Sequence, residues 1–74
     1  MGMEAIKMRK VLRLMKRGEA VTERWLTSKG ECTLAELTDL IEKRFLVRFD
    51  KNPHDFMDDN RYMITDQGFE YAWM

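Results

Sequence analysis

The chain has one cysteine, one histidine, one proline and four glycines among its 74 residues, and its formal net charge is zero. Each shortage excludes something. Cys32 alone cannot close an internal disulfide, and one thiol with one imidazole (His54) cannot complete a zinc tetrad, so folding must rest on packing. No glycine-rich phosphate loop is present. Charges interrupt every apolar stretch before it reaches the length of a membrane span, and Met1–Lys7 lacks the apolar run and cleavage site of a signal peptide. A cytoplasmic protein with no membrane partner is expected, and a lone thiol fits a reducing compartment.

What remains is an ordinary globular balance, 45% hydrophobic and 35% charged, which should fold. The length allows one core and one domain, 1–74, burying roughly 60% of its unfolded surface and leaving a margin of a few kcal/mol. Charge is unevenly spread. Residues 3–17 carry Lys7, Arg9, Lys10, Arg13, Lys16 and Arg17 against Glu4, a local charge of +5, and the rest of the chain balances it with −5. Such asymmetry marks a nucleic-acid or acidic-partner surface, or a solvated helix face.

Met8, Val11, Leu12 and Met15 repeat at i, i+3, i+4, i+7, which predicts a first helix over about 3–16 with its cations on the opposite face and Gly18 as its stop. A second helix is expected over about 20–28, weakened by the β-branched Val21, Thr22 and Thr27, with Lys29-Gly30 ending it. Thr33-Leu-Ala-Glu36 is a capping box that starts a third helix, in which Leu34, Leu37, Leu40, Ile41 and Phe45 line the buried side. The period then changes: 45–49 and 61–64 read as strands of a hairpin around a polar loop, 50–60. Thr65 caps a last helix, 66–74, carrying Phe69, Ala72 and Trp73 at helical spacing.

Three helices, a hairpin and a closing helix make an α+β order. Leu37–Phe49 resembles the end of a recognition helix running into a first wing strand. Tyr62-Met-Ile-Thr65-Asp-Gln-Gly68-Phe-Glu-Tyr71 is similar to the closing strand, Thr-x-x-Gly corner and C-terminal helix of winged helix-turn-helix proteins such as MarR-like and PadR-like bacterial regulators. Together the two stretches cover about half the chain. The resemblance implies a helix-turn-helix made of the second and third helices, with Gly30 in the turn and the third helix entering a major groove. Physically, the corner joins a threonine cap to a glycine that permits close approach of the hairpin.

That resemblance meets resistance from charge. The outward positions of the third helix read Ala35, Glu36, Thr38, Asp39, Glu42 and Lys43, three acids against one cation, whereas base readout draws on Arg, Lys, Asn and Gln. The wing tip is also acidic, with Asp50, Asp55, Asp58 and Asp59 against Lys51.

Two functional readings follow. In the first, a small transcriptional regulator binds double-stranded DNA, with Lys7, Arg9, Lys10, Arg13, Lys16, Arg17, Arg48, Lys51 and Arg61 on phosphates and Thr38 and Lys43 nearest the bases. In the second, a protein-interaction module uses its acidic third helix and wing to meet a basic partner. Seven methionines and the aromatic residues of the last helix suggest a homodimer built from the first and last helices. No enzyme is expected. A Cys32–His54 pair lacks an orienting third residue, although the position of Cys32 before a helix start could lower its pKa. A calcium loop at Asp50-x-Asn52-x-His54 lacks the glycine and glutamate that an EF-hand requires, so neither metal nor cofactor is expected.

Overall fold

A computed structural model of the chain describes residues 3–49 and 59–74. Among the described residues the fold is α+β: four helices, α1 (Ala5–Leu12), α2 (Glu23–Gly30), α3 (Leu34–Glu42) and α4 (Asp66–Ala72), and a three-stranded antiparallel sheet of β1 (Val21–Thr22), β2 (Leu46–Phe49) and β3 (Arg61–Ile64). The strand order is β1-β3-β2, and the hairpin register runs from Leu46 opposite Ile64 to Phe49 opposite Arg61. Met8, Val11, Leu12 and Met15 from the α1 region, Leu26, Leu37, Leu40, Phe45, Leu46, Tyr62, Ile64 and Ala72 share one core.

The capping box forms as the sequence predicts. The Glu36 backbone N–H donates to Thr33 Oγ1 at 3.2 Å, and the Thr33 N–H donates to Glu36 Oε1 at 3.0 Å. At its other end α3 closes with Arg44 at φ +66°, while the N–H groups of Arg44 and Phe45 reach the carbonyls of Ile41 and Leu40. This is a Schellman closure with arginine where glycine is usual.

The Thr-x-x-Gly corner also has the expected function. Thr65 Oγ1 accepts from the Gly68 N–H at 2.9 Å and donates to the Arg44 carbonyl at 2.7 Å, while the Thr65 N–H donates to the Phe45 carbonyl. The first bond caps α4, and the other two fasten its start to the segment leaving α3. Phe45 stacks on Tyr71 from the other side, with ring centroids 4.5 Å apart.

Four expectations need correction. The first helix stops at Leu12 rather than Lys16, because the Leu14 and Met15 N–H groups bond i−3 carbonyls. That tightened turn keeps Met15 buried and turns Leu14 outward. Gly18 is not its stop; it lies six residues on, at φ +79°, in a separate turn closed by the Glu19 N–H on the Lys16 carbonyl. Val21 and Thr22 do not begin a helix. They extend the sheet, opposite Tyr62 and Arg61, as their branched side chains favour, and Thr22 then caps α2 by accepting from the Trp25 N–H. Leu34, assigned to the buried side of α3, is 55% exposed, because it occupies the first turn beyond the reach of the core.

Gly30 is the last residue of α2, and a Cβ there would stand 3.2–3.3 Å from Cys32 Sγ and Val11. Its smallness serves the packing of α1 on α2. The left-handed position falls instead on Glu31, at φ +50°. Because left-handed backbone strains any side chain with a Cβ, Glu31→Gly is expected to stabilise the fold by about 0.5–1 kcal/mol. A thermal melt should show Tm rising by about 3–6 °C.

Candidate nucleic-acid interface

The arginine side of the cationic face of α1, Arg9 and Arg13 with Arg17 beyond, does not point away from the fold. It docks on α4, which runs alongside it. Arg9 Nε donates to the Tyr71 carbonyl at 3.3 Å with its guanidinium 4.8 Å from the Tyr71 ring centroid, and Arg13 Nε donates to the Ala72 carbonyl at 2.6 Å while lying 5.3 Å from Trp73. One turn further, Arg17 pairs with Asp66 at 2.8 Å and covers Phe69. Two arginines therefore satisfy carbonyls at the C-terminal end of α4, where positive charge also complements the helix dipole. The planar guanidinium suits this double task of bonding and stacking better than an ammonium. The first and last helices, expected as a dimer surface, are thus each other's partner within one chain. Ile6, Trp73 and Met74 are what this packing leaves exposed.

Two acids of α3 are likewise engaged. Glu36 receives Lys7 Nζ at 2.9–3.0 Å in addition to its cap bonds, and Asp39 receives Lys43 Nζ at 2.7 Å and the Met3 N–H at 3.1 Å. The Thr33 N–H, then Lys7, holds the Glu36 carboxyl below its usual range. For Asp39 the lowering comes first from Lys43 and next from Met3. Both are partly covered rather than projecting outward. The outward side of α3 is therefore Leu34, Ala35, Thr38 and Glu42. Thr38 Oγ1 donates to the Leu34 carbonyl at 3.0 Å, which leaves it a methyl group and an acceptor lone pair for a partner.

Of the residues expected on phosphates, Arg48 and Arg61 are exposed and sit in neighbouring registers of the hairpin, Arg48 opposite Tyr62 and Arg61 opposite Phe49, on opposite faces of the sheet. Strand alternation puts Arg48 on the sheet face that carries Leu46, Tyr62 and Ile64, towards the helices. Arg61 also pairs with Thr22, the cap of α2. Sequence reasoning passed over Arg24, which is exposed in the first turn of α2. Its signal was available, since it follows a capping threonine by two residues. Arg24, Thr27, Thr33 and Leu34 line a shallow groove of about 400 Å³ between the starts of α2 and α3, with Glu23, Cys32 and Asp59. Lys10 and Lys16 are exposed on the far side, where Lys10 joins Ile6, Leu14 and Lys29 around another groove of similar size. Lys51, the calcium-loop residues 50–58 and His54 lie outside the described residues.

The acids of the α2–α3 groove accept hydrogen bonds from neutral donors and keep their charge. Glu23 Oε2 accepts from Tyr62 Oη at 2.6 Å and from Asn60 Nδ2 at 3.2 Å, and Asp59 Oδ2 accepts from the Arg24 N–H at 2.8 Å. Tyr62 is 1% exposed, and burial, with Glu23 beside it, pushes the phenol up to about 12, partly opposed by Arg48. A raised acid pKa means that the folded state prefers the neutral phenol. The stability this gives is complete below about pH 10 and is lost as pH climbs through about 12. Tyr62→Phe is expected to cost about 1–2 kcal/mol at neutral pH, through the lost bond to a charged carboxylate. Urea titrations between pH 9 and 12 should show a shallower alkaline decline in the variant than in the parent.

Cys32 offers no reactive thiol. It is buried with Sγ 3.6 Å from the Leu26 carbonyl, and burial first, then the Glu36 charge, pushes its pKa up rather than down. Among the described residues no group of three His, Cys, Asp or Glu side chains could hold a metal ion, and no helix is long and apolar enough to cross a membrane. No family model matches the chain, and comparisons with curated proteins and with solved structures also give no match.

Proposed function

We propose that the chain is a winged helix-turn-helix DNA-binding domain of the transcription-regulator kind, with α2 and α3 as the helix-turn-helix and β2–β3 as the wing. The order of helices and hairpin agrees with this reading, and the short extra strand β1 on the outer side of β3 is compatible with it. The observation that carries it is the internal pairing of the acids on α3. Glu36 and Asp39 are bonded to Lys7 and Lys43, so the outward half of the helix approaches a polyanion with Glu42 as its one unpaired acid among the described residues. Arg24, at the start of α2, and Arg48 and Arg61, on the two faces of the hairpin, are the phosphate contacts of this reading. Lys43 serves Asp39 rather than a base, and the α1 arginines hold α4 rather than DNA.

The competing reading, an acidic third helix that meets a basic protein, loses most of its charge to the same pairing. What favours it is the exposed Leu34, an apolar side chain available to a protein partner.

Anisotropy of a labelled duplex titrated with the protein at a series of salt concentrations decides between them. DNA binding requires log K to fall linearly with log salt, with a slope of about −0.9 for each phosphate contacted. Absence of duplex binding at the lowest salt removes the regulator reading.

A further inference from the structure

In an antiparallel pair, residues that exchange backbone bonds alternate with residues whose N–H and C=O point away from the partner strand. The Thr65 N–H on the Phe45 carbonyl sets the phase, because Phe45 and Thr65 continue the register of Leu46 with Ile64. Val47 and Phe49 therefore bond to β3, whereas Leu46 and Arg48 turn their backbone groups to the outer edge of β2, where the sheet ends. Leu46 is 1% exposed, so its part of that edge is closed by the chain itself. Arg48 is exposed, and among the described residues its backbone meets no partner beyond the sheet and its guanidinium forms no ion pair. On the face away from the helices Val47 and Phe49 flank it, 43% and 47% exposed.

We infer that this edge receives an extended peptide segment with an acidic residue between two apolar ones, added as a fourth strand antiparallel to β2. The open groups are backbone, and what satisfies an N–H and a C=O on one strand residue is another strand. The peptide residue opposite Arg48 exchanges both bonds with it and points its side chain to the same face, where opposite charge is favoured. Its two neighbours turn to the other face, against Val47 and Phe49. Glu23, bonded to Tyr62, follows β1 on the far side of β3, and a fourth strand beyond β2 lies about 14 Å from β1 at ordinary strand spacing. A second copy of the chain does not fit. With Leu46 closed, β2 meets its twin only around Arg48, which sets two arginines directly opposite each other. This edge is separate from the outward face of α3 and needs no nucleic acid.

The probe is a blocked peptide with the core valine-glutamate-valine, titrated into the full chain and followed by amide-resolved NMR. The Arg48 amide signal is expected to move downfield and to exchange more slowly with solvent. The same peptide with lysine for glutamate should bind about fivefold more weakly. Methylating the glutamate nitrogen removes its bond to the Arg48 carbonyl and should also weaken binding by about fivefold or more. Arg48→Glu should reverse the preference towards the lysine peptide while circular dichroism reports an unchanged fold. Equal affinity for the glutamate and lysine peptides, full binding of the methylated one, or no shift at Arg48 with peptide at millimolar concentration overturns the inference. Dimerisation of the free chain through β2 overturns it as well. No nucleic acid is present, so these outcomes are independent of duplex binding.

Discussion

Gly68→Ala is expected to be among the most damaging single substitutions in the chain, costing about 3 kcal/mol or more. A Cβ at residue 68 would stand 2.2 Å from the Phe45 carbonyl oxygen and within 3.0 Å of two further Phe45 backbone atoms. No rotamer change can relieve a clash with backbone. Either α4 moves away, breaking the bond from the Thr65 N–H to that same carbonyl, or the segment leaving α3 shifts and disturbs the stacking of Phe45 on Tyr71. Both routes loosen the carbonyls that Arg9 and Arg13 reach on α4. For a domain whose whole stability is on the order of 4–11 kcal/mol, that is a large share. Urea denaturation followed by circular dichroism measures it. An unchanged midpoint would mean that α4 does not meet Phe45 as described.

Leu37→Ala should cost a similar amount, about 2–5 kcal/mol, for a different reason. Leu37 is fully buried, together with Leu40 on the same side of α3, and truncation leaves a cavity that neighbours from α1 and the sheet cannot fill without moving. The informative control lies three residues earlier. Leu34→Ala deletes the same atoms from the same helix at an exposed position and should change stability by less than about 0.5 kcal/mol. The pair of denaturation midpoints therefore reads out the rotation of α3 about its own axis. Equal losses at both positions would mean that the helix turns a different face outward, and the candidate interface would be misplaced.

The rotation of α3 shows where sequence reasoning ends. Its start was legible, because a capping box is a local device in which two side chains and two N–H groups within four residues satisfy each other. The hairpin strands and the Thr65–Gly68 corner were legible for the same reason: their signals lie in branched and aromatic runs and in a threonine three residues before a glycine. Leu34 was misplaced because helical spacing puts it on the apolar stripe, yet whether the core extends to the first turn depends on what packs opposite. The strand β1 is two residues long, too short for any alternation to register, and its branched pair marked only a poor helix start.

The basic arm is the larger lesson. A helical projection finds the cationic face of α1 but cannot say what lies against it. Its partners are carbonyls near the C-terminal end of α4 and three aromatic rings, about sixty residues away in the chain for Arg9 and Arg13. Backbone carbonyls carry no residue-type signature, so nothing in the composition of α4 announces them. The same holds for the acids of α3. Three acids against one cation looks hostile to DNA in one dimension, but Lys7, twenty-nine residues before Glu36, neutralises one of them. Glu31 and Arg44 in left-handed conformations were equally silent, since neither is a glycine or an asparagine.

Two sets of arginines are distinguished: Arg9, Arg13 and Arg17, which hold α4 in place, and Arg24, Arg48 and Arg61, which are proposed to contact phosphates. The salt dependence of duplex binding in two variants tests that division most directly. Arg24→Ala/Arg48→Ala/Arg61→Ala should bind more weakly, with a slope of log K against log salt shallower by about 0.9 for each arginine, nearly three in all. Arg17→Ala, which removes only an exposed ion pair and a ring contact, should keep the parental slope. A parental slope in the triple variant, or a slope reduced by about one in Arg17→Ala, would contradict the account.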